Sequence, residues 1–218
     1  MKNLKILSMN LGRNFIPIKN DVRKQKVTSL LEKGNYDIIM LQGDNLDKSV
    51  DFKHLGYIYS NPDNKKTLTL SNINFPVYNG GLEEDLYNSS IIKYKGRKLV
   101  CVNINGRSKN DMPKIFDVCS RYSNIKDENY AENRIIAGRL PREVDTNEFC
   151  DLFDLEDVST LVGQETHIKN NREMLNHLFV SRNLECVDIR KLVGMTEVSK
   201  LGEAYPIEAS LSYKKVLK

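Results

Sequence analysis

The chain opens on a short, largely apolar run, Leu-Lys-Ile-Leu-Ser-Met over residues 4 to 9, that predicts a strand stopping at Asn10-Leu11-Gly12. Val22, Val27, Leu30 and Leu31 then fall on one face at helical spacing, and Gly34-Asn35 supplies a helix stop. Tyr36 to Gln42 reads as a second buried strand, so strand, helix and strand follow one another with a parallel pairing expected. This is an α/β opening.

From residue 56 to 104 the runs shorten: Gly56 to Tyr59, Thr67 to Leu70, Ser89 to Ile92 and Lys98 to Ile104. Asn61-Pro62-Asp63-Asn64, Asn79-Gly80-Gly81 and Lys95-Gly96-Arg97 break them, which predicts antiparallel hairpins with the sharpest turn at Lys95-Gly96. Ile115, Val118 and Cys119 predict a helix after residue 112. Phe149, Leu152 and Phe153 predict another, with Asp145-Thr146-Asn147-Glu148 as its cap. Strands return at 175 to 180, 184 to 189 and 206 to 213, whereas 123 to 132 and 163 to 173 are polar and read as loops. Internal repeats and low-complexity segments are not evident.

At 218 residues, 40% hydrophobic and 28% charged, the chain has the length for one well-formed core and is short for two, so a single domain over 1–218 is expected. The net charge of +4 is mild and its cations are scattered, apart from small groups such as Arg23-Lys24-Gln25-Lys26, so charge alone does not diagnose nucleic-acid binding. Cys101, Cys119, Cys150 and Cys186 lack the paired spacing of a zinc or redox motif and read as reduced core residues. The apolar stretch at the N-terminus is too short for a signal peptide and no segment approaches a membrane span, which makes a cytoplasmic protein without membrane contact the expectation.

The stretch Arg134-Ile135-Ile136-Ala137-Gly138-Arg139-Leu140-Pro141 reads as a buried strand running into a loop, the place where an α/β protein sets its site residues. Neither Arg139 nor Pro141 can ligate a divalent cation. The order of the pieces resembles the endonuclease/exonuclease/phosphatase superfamily over nearly the whole chain. In that superfamily a first strand ends in Asn, like Leu4 to Asn10, and a second ends Leu-Gln-Glu, like Leu41-Gln42 with Gly43 where the Glu belongs. A strand leading to Thr-His or Asn-His looks like Leu99 to Ile104 with Asn105 in place of the His, and Gly-Asp-x-Asn looks like Gly138-Arg139-Leu140-Pro141. An Asp-x-Ile-Phe-Val segment looks like Asn176 to Val180, and the terminal Ser-Asp-His-x-Pro looks like Gly202-Glu203-Ala204-Tyr205-Pro206. The resemblance implies a DNase I-like fold: a four-layer, two-sheet α/β sandwich with helices on the outer faces.

Phosphodiester hydrolysis of this kind needs carboxylates for Mg²⁺, a base for the attacking water and hydrogen-bonding or cationic groups for the charge developing on phosphorus. In the family the Glu after Gln binds metal, the terminal Asp-His does acid/base work, and the Gly-Asp-x-Asn pair positions nucleophile and phosphate. The matching positions here hold Gly43, Glu203, Ala204, Arg139 and Pro141; Asn10 is kept, and Glu203 is a longer substitute for Asp. Such groups act as a unit, each worth about a hundredfold or more in rate, so their joint replacement implies that the inherited mechanism does not operate. Arg139 in place of an Asp also reverses the local charge, repelling Mg²⁺ and attracting phosphate.

The expected vestigial positions are therefore Asn10, Gly43, Asn105, Arg139, Pro141, Glu203 and Ala204, with Asn10, Arg107, Arg139 and Arg142 as the residues that would bind an anion. Asn10 reads equally as a site residue and as ordinary turn chemistry. A one-residue shift on a strand turns a side chain to the other face, which disfavours Asp44 as a substitute for the missing Glu. The same alternation points His177 away from the site; His167 has no matching role and His54 no context. The leading expectation is a degenerate member retained to bind a protein partner or an anionic ligand, needing no cofactor. The first alternative is an active Mg²⁺- or Mn²⁺-dependent phosphohydrolase that uses Asp44 and Glu203, with Glu143 or Asp145. The second is a protein that binds nucleic acid weakly without cutting it.

Overall fold

Apolar residues at every second position build two β-sheets whose inner faces pack on each other. The computed structural model describes residues 2–12, 22–43, 46, 52–59, 66–72, 77–84, 86–124, 132–162, 176–192 and 205–214. Its elements in chain order are β1 (Leu4–Asn10), α1 (Val22–Gly34), β2 (Ile38–Gln42), β3 (Tyr57–Tyr59), β4 (Thr67–Asn72), β5 (Val77–Glu84) and β6 (Tyr87–Tyr94). They continue with β7 (Arg97–Asn105), α2 (Met112–Ser123), β8 (Asn133–Arg139), α3 (Thr146–Phe153), β9 (Leu155–Asp157), β10 (Asn176–Ser181), β11 (Leu184–Lys191) and β12 (Ile207–Tyr213).

Among the described residues each sheet has six strands, in the orders β11-β12-β1-β2-β4-β3 and β5-β6-β7-β8-β10-β9. Each carries one parallel pair, β1 with β2 and β7 with β8, and the other pairings are antiparallel. Leu4, Ile6, Ile38 and Met40 of the first sheet meet Leu99, Cys101, Ile135, Ala137 and Leu178 of the second in a central core. Val27, Leu30 and Leu31 of α1 cover the outer face of the first sheet. Ile115 and Val118 of α2, with Phe149 and Phe153 of α3, cover the outer face of the second. The result is the expected helix, sheet, sheet, helix sandwich.

Local chemistry sets the boundaries. Asn35, at φ 46°, ends α1 in the left-handed conformation that Asn tolerates. Lys95 and Gly96, at φ 49° and 81°, make the tight turn between β6 and β7. The Asp145 carboxylate accepts the Asn147 and Glu148 amides and starts α3.

Several expectations need correction. Asn79-Gly80-Gly81 is no break but part of the edge strand β5, whose register shifts on both sides of it; glycine is tolerated in an edge strand at such irregularities. The short strand β9, too brief to leave a periodic signal, extends the second sheet. Arg139 closes strand β8 rather than lying in a loop, because its pairing with β7 and β10 persists to that residue. Leu152 is 59% exposed, α3 being covered on its other face. Cys101 and Cys119 are buried, but Cys150 and Cys186 are half-buried; all four are free thiols. The two polar segments, at 123 to 132 and 163 to 173, lie almost wholly outside the described residues. Among the described residues, no helix is long and apolar enough to cross a membrane.

Candidate functional site

The layer between the sheets changes character along the strands. At one end it is aliphatic; toward the C-terminal ends of β1, β2, β7 and β8 the inward positions become Asn10, Gln42, Asn103, Asn105 and Arg139, by the same alternation that buries Ile6, Met40, Cys101 and Ala137. Parallel registers align them, Asn10 opposite Gln42 and Asn105 opposite Arg139. Arg139 in turn faces Asn176 of β10. Ligands of α/β sheets bind outside this end of the strands.

Hydrogen bonds lock the two sheets together just below. Gln42 Nε2 donates to Asn103 Oδ1 at 2.7 Å and to the Met40 carbonyl at 3.1 Å. Asn103 Nδ2 donates to the carbonyls of Leu41 at 3.0 Å and Leu68 at 3.1 Å. Both amides meet carbonyl oxygens on their nitrogen side, so their orientation follows from the bonding. Beside them Thr69 Oγ1 donates to Asn88 Oδ1 at 2.7 Å, and Asn88 Nδ2 to the Thr67 carbonyl at 2.8 Å. The Lys66 carbonyl joins two site positions, accepting the Gly43 amide at 2.9 Å and Asn105 Nδ2 at 3.5 Å. Two acceptors, Gln42 Oε1 and Asn105 Oδ1, are buried without a hydrogen-bond partner among the described residues.

The expected site positions thus come together as far as they are described. Asn10, Gly43, Asn105 and Arg139 share one end of the sandwich. Pro141 is buried; a Cβ on Gly106 would stand 2.9 Å from its ring, and the Gly106 amide donates to the Arg139 carbonyl at 2.9 Å. That bond ties the loop carrying Arg107 to the loop carrying Arg142. The Asp111 carboxylate fixes the first of these by accepting the Arg107 and Ser108 amides at 2.7 and 2.9 Å. Asp44, His167, Glu203 and Ala204 lie outside the described residues.

His177 is not in the cleft. It projects from the outer face of β10, stacked on Phe179, with Nδ1 2.8 Å from Asp157 Oδ2. Glu208, which accepts Tyr36 OH at 2.7 Å and Arg190 Nε at 2.9 Å, belongs to the other end of β1, near Lys5. Burial, then the bond to Glu208, pushes the Tyr36 hydroxyl far above the ordinary tyrosine range. Sequence reasoning missed the lock itself. Its one legible signal was the alternation of Asn103 and Asn105 with Val102 and Ile104, which put two amides on an apolar strand face. The Lys66 carbonyl, a backbone group, leaves no trace in sequence.

Neither a protein-family model nor a curated protein matches this sequence. Solved structures match along almost its whole length. The human Nocturnin catalytic domain, solved with a bound sulfate anion, superposes with a TM-score of 0.73 at 14% identity, over 97% of this chain and 95% of that one. The chain has the DNase I-like fold. An endonuclease/exonuclease/phosphatase from Bacteroides vulgatus gives a TM-score of 0.69 at 13% identity, over 98% and 100% of the two chains. Danio rerio TDP2 complexed with a single-strand DNA product gives 0.67 at 13%, over 96% and 99%. At these identities the likeness establishes the DNase I-like fold and leaves the chemistry to this chain's own residues.

The described side chains do not fit the Mg²⁺ ion that this fold commonly implies. Asn10 Oδ1, the atom a hard cation would take, accepts the Gly12 amide at 2.9 Å. Gly43 disfavours a carboxylate-bearing side chain, since its φ is 153° and a Cβ would crowd the Gly12 carbonyl oxygen at 3.0 Å and Leu46 Cδ2 at 3.2 Å. Arg139 brings positive charge. Among the described residues no three His, Cys, Asp or Glu side chains gather as a metal site would require. Among the described residues the cleft end is built of amides and a guanidinium.

Proposed function

We propose that this protein is a non-hydrolytic member of its superfamily, a scaffold that binds an anionic ligand or a protein partner at the C-terminal ends of β1, β2, β7 and β8. The observation that carries this reading is the registered pair Asn105 and Arg139 beside an Asn10 whose oxygen is already engaged. The bond from Gly12 leaves the Asn10 NH₂ as the group this residue can offer, so Asn10 and Arg139 both act as donors. Charge-assisted donors of this kind suit phosphate, sulfate or carboxylate oxygens. The sulfate in the Nocturnin domain is in keeping with a tetrahedral anion on this fold. Arg107 and Arg142, on the loops tied together by the Gly106–Arg139 bond, extend the positive field.

In this role Arg139 supplies the charge and Asn10 a neutral donor, Asn105 stands in register with Arg139 with its NH₂ turned to the Lys66 carbonyl, and the amide lock below keeps them in place without an ion. The test has two arms. Calorimetric titration with inorganic phosphate and pyrophosphate is expected to show binding that Arg139→Ala weakens about tenfold or more, the worth of one charge-assisted hydrogen bond. Incubation with Mg²⁺ or Mn²⁺ and plasmid DNA, RNA or bis(p-nitrophenyl) phosphate is expected to show no turnover. Robust turnover abolished by Asn10→Ala or Glu203→Ala would overturn the proposal in favour of a rearranged Mg²⁺ site. Tight, strongly salt-dependent binding of uncut DNA would overturn it in favour of a nucleic-acid-binding role.

A further inference from the structure

The second sheet carries an open groove on its outer side, beside the cleft loops. It lies between the start of α2 and the start of α3 and encloses about 430 Å³. Its floor is apolar: Met112, Pro113 and Phe116 from α2, Val144 and Phe149 from the α3 side. The rings of Phe116 and Phe149 meet edge to face, 5.9 Å apart, and close the bottom. Its rim is charged and unbalanced, with Glu143, Asp145 and Glu148 against Lys109, all four exposed.

The size limits the occupant. A cavity at the lower end of the roughly 300–1,000 Å³ range of ligand pockets takes two or three side chains, not a domain surface. The rim selects its charge. Three carboxylates and one ammonium leave the groove acidic on a chain whose net charge is +4, so a cationic partner is drawn to it and an acidic one repelled. The two helix N-termini that open onto the groove offset only part of this, because each amounts to about half a positive charge. Asp145 is committed to capping α3, whereas Glu143 lies before the helix and takes no part in that cap.

We infer that the groove between α2 and α3 is a docking site for a short peptide segment of a partner protein, one that buries an apolar side chain against Phe116 and Phe149 and sets a flanking Lys or Arg against Glu143 and Glu148. The site is separate from Asn10, Asn105 and Arg139, and it stands whether or not the cleft binds an anion. Its position on the segments that follow Arg107 and Arg142 places a docked partner beside the cleft mouth.

The experiment is an NMR titration of the ¹⁵N-labelled full chain, with phosphate present throughout, using a hexapeptide library with Leu, Phe or Met at a central position flanked by Lys or Arg. A matched library with Glu in place of the cations serves as control. Saturable shifts confined to residues 109–116 and 143–149, at least tenfold weaker for Glu143→Lys and absent with the acidic library, are expected. Glu148→Gln, which removes one rim charge without adding another, should give an intermediate loss. Failure of every basic peptide to shift these residues, equal binding of both libraries, or shifts centred elsewhere would overturn the inference. So would concentration-dependent self-association that fills the groove with a second copy. Because phosphate binding is read separately, loss of anion binding and loss of peptide docking remain distinguishable.

Discussion

Placing a carboxylate at position 43 tests whether the cleft can accept the Glu that the superfamily it resembles carries there. The obstacle begins at Cβ. A Cβ on Gly43 would sit 3.0 Å from the Gly12 carbonyl oxygen, 3.2 Å from Leu46 Cδ2 and 3.3 Å from Leu11 Cβ, with the backbone at φ 153°. Leu46 can shift, whereas the Gly12 carbonyl is backbone, and the Gly12 amide is bonded to Asn10 Oδ1. Backbone strain of this kind costs about 1–3 kcal/mol and overpacking that Leu46 can partly relieve about 1–2 kcal/mol, so a loss of about 2–5 kcal/mol is expected. For a chain of this length that corresponds to a fall in Tm of about 5–15 °C. Because the clash arises at Cβ, Gly43→Ala should already show most of the loss, and Gly43→Glu little more. Urea unfolding of both variants gives the measurement, with Mn²⁺ titration of Gly43→Glu to read any gained metal affinity. A Gly43→Ala midpoint equal to that of the unaltered protein would refute the steric argument, and Mn²⁺ binding by a fully stable Gly43→Glu would refute the account of why the described cleft does not fit a cation.

The amide lock makes a second quantitative prediction. Asn103→Ala removes one accepted and two donated buried hydrogen bonds, which at about 1 kcal/mol each sum to about 3 kcal/mol; the urea m-value should stay constant, and a loss below about 1 kcal/mol would show that water replaces the lock. Burial holds the Cys101 and Cys119 thiols up at about 12, and burial, then neighbouring carboxylates, hold Cys150 and Cys186 up at about 11. Iodoacetamide at pH 8 should therefore label Cys150 and Cys186 slowly, Cys101 and Cys119 only after denaturation; rapid labelling of Cys101 in the folded state would contradict the packing. The same shifts couple stability to pH. A thiol that ionises at 9.0 when unfolded and near 11 to 12 when folded retains its proton only in the native state, so stability is intact below pH 9 and falls as pH rises through that window. Unfolding midpoints from pH 8 to 10.5 should decline, and a flat profile would refute the shifts.

Much of the architecture was legible because it rests on period and punctuation. The parallel pairing of β1 with β2, the α1 stop at Gly34-Asn35, the Lys95-Gly96 turn and the Asp145 cap each depend on residues that act within a few positions of themselves. The misses share a different cause. β9 is three residues long, and β5 carries two glycines, so tertiary pairing rather than local preference makes them strands. That Asn10, Gly43, Asn105 and Arg139 would meet at one end of the sheets was legible through the resemblance of the motif segments. Its internal arrangement was not, since the Gln42–Asn103 bond spans 61 residues of sequence and the Lys66 contribution is a backbone carbonyl.

That division bears on how a cleft of this kind can keep its shape. In a metal site the ion itself draws its ligands together, and removing it leaves like charges to repel. Here the positions of Asn10, Asn105 and Arg139 follow from strand register, and the sheets that carry them are joined by amide-to-carbonyl bonds in a layer closed to solvent. Neutral amides are well suited to this. They satisfy one another and the backbone without the desolvation penalty that buried carboxylates would bring. In the proposed anion site, donors held this way would be preorganised, so that a ligand would bear little of the ordering cost that a flexible cleft would impose. Gln42 Oε1 and Asn105 Oδ1, which have no hydrogen-bond partner among the described residues, mark where a water or a ligand group with a donor to spare would complete the arrangement.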